Sequence, residues 1–175
     1  YAAYAAEGEE YGRIVGGLDD YTVPLMDMFF FAYDKVEEGY VDLDEEEQAD
    51  LVVYAGFMTI LDESVCRAYP NRMMNVHPAL IPSFCGKGFY GLHVHESALA
   101  TGVKVSGATV HFVTEVCDGG PIILQKAVKI EPDDTPQSLQ RSVMEKAEWK
   151  ILPKAINLIA NGKISVEDHI VTISD

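Results

Sequence analysis

An α/β fold, with helices flanking a mostly parallel sheet, is the architecture this sequence predicts, and three observations point to it. Two short apolar runs, Asp50-Leu51-Val52-Val53-Tyr54-Ala55-Gly56 and Arg72-Met73-Met74-Asn75-Val76-His77, are continuous and end at turn residues, as strands covered on both faces do. Between them lies room for one helix running to about Tyr69, with Asp62 as its cap and Glu63 in the favourable first turn. Further on, Leu139, Val143, Ala147 and Ile151 recur every fourth residue after Thr135-Pro136, which supplies the N-cap and first-turn proline of an amphipathic helix.

Taken in order, residues 1–11 are rich in Ala and Glu and predict a helix stopping at Gly12. Arg13 to Gly17 reads as a short strand and turn, because its glycines lack the spacing of a nucleotide-binding fingerprint. Met26 to Val36 is a largely buried helix by its Phe and Met content, and Glu37 to Asp50 is a solvated acidic segment. Phe57 to Leu61 is the loop at the carboxyl end of the first strand, and Pro70-Asn71 ends the following helix. Pro78 keeps His77 out of the α conformation and ends ladder pairing. Asn75 and His77 therefore sit at the carboxyl end of a strand, the edge where open α/β sheets bind ligands.

Phe84 to Gly91 holds three glycines and reads as a mobile loop. A helix from about His93 to Ala100 stops at Gly102, and Val105 to Glu115 alternates as a strand with Ala108, Val110 and Phe112 on one face and Thr109 and His111 on the other. The turn Cys117-Asp118-Gly119-Gly120-Pro121 leads to a strand over Ile122 to Ile130. Pro153 is expected to kink or interrupt the last helix, which ends at Asn161-Gly162 before a hairpin centred on Glu167-Asp168.

A chain of 175 residues, 48% hydrophobic, can bury one real core and predicts a single domain spanning 1–175. The formal charge of -15 argues against nucleic acid as a partner, since phosphate binding needs clustered Lys and Arg. Cys66, Cys85 and Cys117 form no C-x-x-C pair and are odd in number, which suits a reducing cytoplasm. No apolar run approaches the roughly 18 residues of a membrane span, so no membrane association is expected.

Two residues apart on a strand, Asn75 and His77 emerge on one face and can address one substrate atom. An amide can donate to a developing oxyanion, and an imidazole can serve as acid, base or stabiliser. Asp118 could orient that imidazole and favour its charged form. Alternatively, Asn75 and His77 merely cap a strand end while Asp118 makes an Asx turn. His93 and His95 read as surface histidines rather than metal ligands, because no Cys or Glu-x-x-His completes a set with them or with His111, and no metal is expected. Cys85 and Cys117 lack the partner pattern of a nucleophile.

Four blocks in order, Asp50 to Met58, Asn75-Val76-His77-Pro78-Ala79-Leu80-Ile81-Pro82, His111-Phe112-Val113 and Asp118-Gly119-Gly120-Pro121-Ile122, resemble the phosphoribosylglycinamide formyltransferases of purine biosynthesis. The resemblance covers residues 50–175 well and 1–49 weakly. It implies a Rossmann-like sheet and direct formyl transfer from 10-formyltetrahydrofolate, a co-substrate, to the amine of glycinamide ribonucleotide. It further implies that Asn75 holds the formyl oxygen, His77 stabilises the tetrahedral intermediate and assists proton transfer, and Asp118 orients His77. Thr59, Ile60 and Leu61, with Val113, Thr114, Glu115 and Cys117, match the folate-binding loops. Met58, Pro78 and Glu148 match positions beside the ribonucleotide substrate. The family's first strand and its glycine-rich phosphate loop have no counterpart here, so truncation at the N-terminus is expected. The resemblance is compatible with a monomer or a homodimer. A non-catalytic folate or nucleotide-binding module, and formyl transfer to a different amine, are the competing readings.

Overall fold

The computed structural model describes residues 51–55, 61 and 63–174. The elements expected over 1–11, 13–17, 26–36 and 37–50 lie outside those residues, as do Met58, Thr59, Ile60 and the expected cap Asp62. Strand β1 (Val52–Ala55), helix α1 (Glu63–Ala68) and strand β2 (Met73–His77) come first, and the two strands pair in parallel. After α2 (Leu92–Thr101), strands β3 (Val105–Phe112) and β4 (Ile122–Lys129) complete a sheet of order β1-β2-β3-β4 among the described residues.

β3 is antiparallel to both β2 and β4. The described sheet is therefore mixed, and its parallel character is confined to β1 and β2. The cause lies partly in connection length: the short segment from Val113 to Pro121 returns the chain antiparallel, whereas a parallel neighbour needs a crossover of a dozen or more residues.

One face of the sheet carries the main core. Met74, Val76, Ala108, Val110 and Phe112 cluster with Leu139, Val143, Ala147, Ile151 and Leu152 from the last helical layer. Each of the Val, Leu, Ile, Met and Phe side chains among them contributes roughly 1.5–3 kcal/mol on full burial, so this contact holds the helices on the sheet. A smaller cluster gathers Tyr54, Cys66, Tyr69 and Met73 around α1. The alternation along β3 sorts side chains as expected, but both sets are buried, Thr109 at 0% and His111 at 2% exposure.

Local signals explain the ends of the elements. Gly102 adopts a left-handed conformation and donates its N–H to the Ala98 and Leu99 carbonyls, closing α2. Thr135 and Ser138 exchange hydrogen bonds between side chain and backbone in a capping box that starts α3 (Pro136–Val143). A π turn (Met144–Glu148) then leads into α4 (Trp149–Ala160).

Pro153 lies inside α4, so the expected interruption is displaced upstream: the irregularity is the π turn, where the Trp149 N–H bonds to the Met144 carbonyl five residues back. Pro153 has no N–H to give the Trp149 carbonyl, and the widened turn ends there. The closing hairpin, β5 (Ile164–Glu167) and β6 (Ile170–Ile173), turns at Asp168-His169, one residue later than expected. Both turn residues have positive φ, 45° and 71°, as a two-residue hairpin turn of type I′ requires.

Candidate active site

His77 is the last residue of β2, and Asn75 precedes it by two, so both project from the same face. Across the strand pair, His111 stands opposite Asn75 and Thr109 opposite His77. Opposed residues in an antiparallel pair share a face, which adds His111 to the cluster. Pairing between β3 and β4 slips at Val110/His111, where Ile123 is the extra residue. Such bulges bend a strand and re-aim its side chains, often beside functional sites.

The turn after His77 is anchored from the same face. The Thr109 hydroxyl donates to the Ala79 carbonyl at 2.7 Å and accepts from the Ile81 N–H at 3.1 Å and from Gln125 Nε2 at 2.9 Å. Gln125 also donates to the Ile81 carbonyl at 3.0 Å. A fully used buried hydroxyl fixes where the strand ends.

Asp118 arrives from the turn between β3 and β4 with φ of 53°, a left-handed conformation that Asp tolerates better than most residues. A Cβ at Gly120 would collide with the Phe112 carbonyl oxygen, so only glycine lets this turn pack so close to β3. Asp118 Oδ2 accepts the Gly86 N–H at 2.7 Å and stands 3.5 Å from His77 Nδ1. Its other oxygen stands 3.6 Å from His111 Nε2.

His77 Nε2 lies 2.8 Å from the Phe84 carbonyl, and His111 Nδ1 lies 2.8 Å from the Phe112 carbonyl. A carbonyl can only accept, so those two nitrogens carry the protons of the neutral rings. Burial pushes the His77 imidazole below its ordinary value, and this outweighs the opposing pull of Asp118 and of the Phe84 carbonyl. The expected charged form is thus disfavoured by desolvation: Asp118 acts in the anticipated direction, and burial wins. For Asp118 burial pushes upward, but His111, the Gly86 N–H and His77 together hold the carboxyl below its usual range.

These groups line a cavity of about 480 Å³ at the carboxyl ends of β1 and β2. Asn75, His77 and Asp118 meet there. Leu61, Val113, Thr114 and Cys117, from the segments expected to bind folate, line the same cavity, as do Pro78 and Glu148. Glu115 is exposed and is absent from the wall. Burial pushes the Glu148 carboxyl up to about 7.

His95 departs from the surface position expected of it. Two residues turn a helix by about 200°, so His93 faces solvent and pairs with Glu96 at 3.1 Å while His95 faces inward at 1% exposure. Its Nδ1 has no hydrogen-bond partner among the described residues, and burial, aided by His77, pushes it down to about 4. His95, His111 and Tyr54 are wall residues that spacing did not single out, and the cross-strand register of His111 with Asn75 was the available signal. No group of three His, Cys, Asp or Glu side chains is placed to hold a metal among the described residues. Burial and the Asp118 carboxylate push the Cys85 and Cys117 thiols up, which disfavours nucleophilic thiolate chemistry.

Comparison with known proteins gives concordant results. A family model described as formyl transferase matches residues 28–156. A chloroplastic phosphoribosylglycinamide formyltransferase of Arabidopsis thaliana is 38% identical over 124 residues, 71% of this chain and 42% of that protein. The crystal structure of glycinamide ribonucleotide transformylase 1 from Symbiobacterium toebii superposes with a TM-score of 0.67 at 40% identity, over 82% of this chain and 61% of that one. A formyltetrahydrofolate deformylase from Pseudomonas syringae superposes with a TM-score of 0.65 at 31% identity, over 83% and 45%. The chain thus spans less than two thirds of the length of these relatives.

Proposed function

The chain belongs to the formyl transferase family, and from that premise we propose that it transfers a formyl group from 10-formyltetrahydrofolate to the amine of glycinamide ribonucleotide. The relatives named for that activity support the choice of donor and acceptor. The observation that carries the reading is the convergence of Asn75, His77 and Asp118 on one cavity, with Asp118 3.5 Å from His77 Nδ1.

In this reading the amine nitrogen attacks the formyl carbon, and the oxygen that gains charge accepts a hydrogen bond from the Asn75 amide. The amine releases its proton to His77, which burial keeps neutral and able to accept it. Nδ1 is the nitrogen without a proton, and Asp118 stabilises the imidazolium formed there. The bond from the formyl carbon to the folate nitrogen then breaks, and that nitrogen takes the proton from His77. Leu61, Val113, Thr114 and Cys117 flank the folate, with Thr59, Ile60 and Glu115 in the same segments, while Met58, Pro78 and Glu148 lie beside the ribonucleotide. Residues 1–175 act as one domain, and a reducing cytoplasm suits its odd set of cysteines, Cys66, Cys85 and Cys117.

A second reading, hydrolysis of the formyl donor by water, is favoured by the superposition on the deformylase. One assay separates the two. Purified full-length protein is given 10-formyltetrahydrofolate with and without glycinamide ribonucleotide, and both tetrahydrofolate and formate are measured. Tetrahydrofolate formed only with the ribonucleotide supports transfer. Formate released without it supports hydrolysis, and folate binding with no turnover supports a binding module.

A further inference from the structure

Asp118 faces two histidines, not one, and they are arranged alike. Each ring gives its far nitrogen to a backbone carbonyl, Phe84 for His77 and Phe112 for His111, both at 2.8 Å. Each turns its near nitrogen to a different oxygen of the same carboxylate, at 3.5 and 3.6 Å. All three side chains are at least nine-tenths buried, and His111 Nε2 has no other partner among the described residues. A bare imidazole nitrogen beside a carboxylate is two acceptors facing each other. A proton placed on either near nitrogen turns that contact into a charge-assisted hydrogen bond.

We propose that His111 is a positioning residue that shares Asp118 with His77, so that one proton can be held against the carboxylate on either side without a side chain turning. This rests on the reading of His77 as the proton acceptor in formyl transfer. When His111 holds that proton, Asp118 is engaged on the His111 side and less able to support a charge on His77. When His111 is neutral, both near nitrogens are bare and Asp118 is free to support the proton that His77 takes from the amine. When the amine yields its proton to His77, Asp118 Oδ2 is already in place for it through the Gly86 N–H. The bulge beside His111 and its register opposite Asn75 tie this second histidine to the same strand end as the reacting groups.

Removing His111 leaves Asp118 to act on His77 alone, and His77 should then bind its proton more readily. The other titratable groups around the cluster are His95 on α2, Tyr54 on β1, Cys85 and Lys87 on the glycine loop, Cys117 on the Asp118 turn, and Glu148 on the π turn. None is altered by the substitution, so the comparison isolates His111.

The test uses the full chain with His111→Gln and His111→Phe. The His77 imidazole is followed by NMR against pH, and kcat and KM are followed across the same range. The midpoint of His77 should move to higher pH by on the order of one unit in His111→Phe, and by less in His111→Gln, whose amide can still donate to Asp118. The acidic limb of kcat should move the same way. An unmoved His77 midpoint in His111→Gln, or a loss of kcat equal at every pH, overturns the proposal. If His111→Phe does not fold, the NMR titration of His111→Gln still decides. Absence of transfer by the unaltered protein would overturn the functional reading, while the NMR titration tests the sharing of Asp118 independently.

Discussion

Asn75 holds its Oδ1 in a buried position with no hydrogen-bond partner among the described residues, at the wall of the cavity. A native fold keeps an orphaned polar atom when something other than stability requires it. Asn75→Ala deletes that unpaired acceptor at little cost to the fold and also deletes the amide N–H that would donate to the formyl oxygen. It is therefore expected to lower kcat on the order of 10²-fold or more while leaving the melting temperature nearly unchanged, a pairing read by the transfer assay and a thermal melt. A large fall in melting temperature would instead mark Asn75 as structural. Asn75, His77 and Asp118 were legible in the sequence because a two-residue spacing shares a strand face, and because Pro78 and Gly119-Gly120 mark where each segment leaves its element. His111 and His95 were not. Whether a histidine is buried against a carboxylate or faces solvent depends on what the fold lays over it, and local spacing carries no record of that.

The π turn is the element that brings Glu148 to the cavity. A strict repeat of four residues is longer than the 3.6 of an α-helix, so Leu139, Val143, Ala147 and Ile151 can all stay buried only if the helix is locally underwound. The turn between Met144 and Glu148 supplies that underwinding. The repeat was visible in the sequence as an amphipathic face, and its excess over 3.6 was the clue to the turn that Pro153 obscured. Glu148 ionises at about 7 here against an ordinary 4.5. A carboxyl raised in this way binds more protons folded than unfolded, so its contribution to stability is lost as pH rises from 4.5 through 7. Glu148→Gln should therefore be more stable than the unaltered protein at pH 8, by roughly 1–3 kcal/mol, and should lose that advantage at pH 4.5. Urea unfolding at the two pH values measures the difference. KM for the amine substrate should rise in the same variant.

Across the described residues, helices on a sheet and the strand edge where the cavity lies, at the carboxyl ends of β1 and β2, followed from apolar runs and turn residues. The direction of β3 did not, because hydrophobic pattern says that a strand is covered and not which way its neighbour runs. Burial of His95 acts on the entire fold in the direction opposite to Glu148. A histidine ionising at about 4 when folded, against 6.5 ordinarily, binds fewer protons folded across that window. Stability should fall as pH drops from 6.5 toward 4, by roughly 3 kcal/mol in full, and His95→Leu should flatten this fall in urea unfolding between pH 7 and pH 4.5. Finally, the glycine loop and the Asp118 turn are joined through one backbone amide, the 2.7 Å bond from Gly86 to Asp118. That amide is a built-in reporter: its hydrogen-deuterium exchange should be slow whenever the loop and the carboxylate are docked and fast in Asp118→Ala, so a single resonance would record how much of the time the site is assembled.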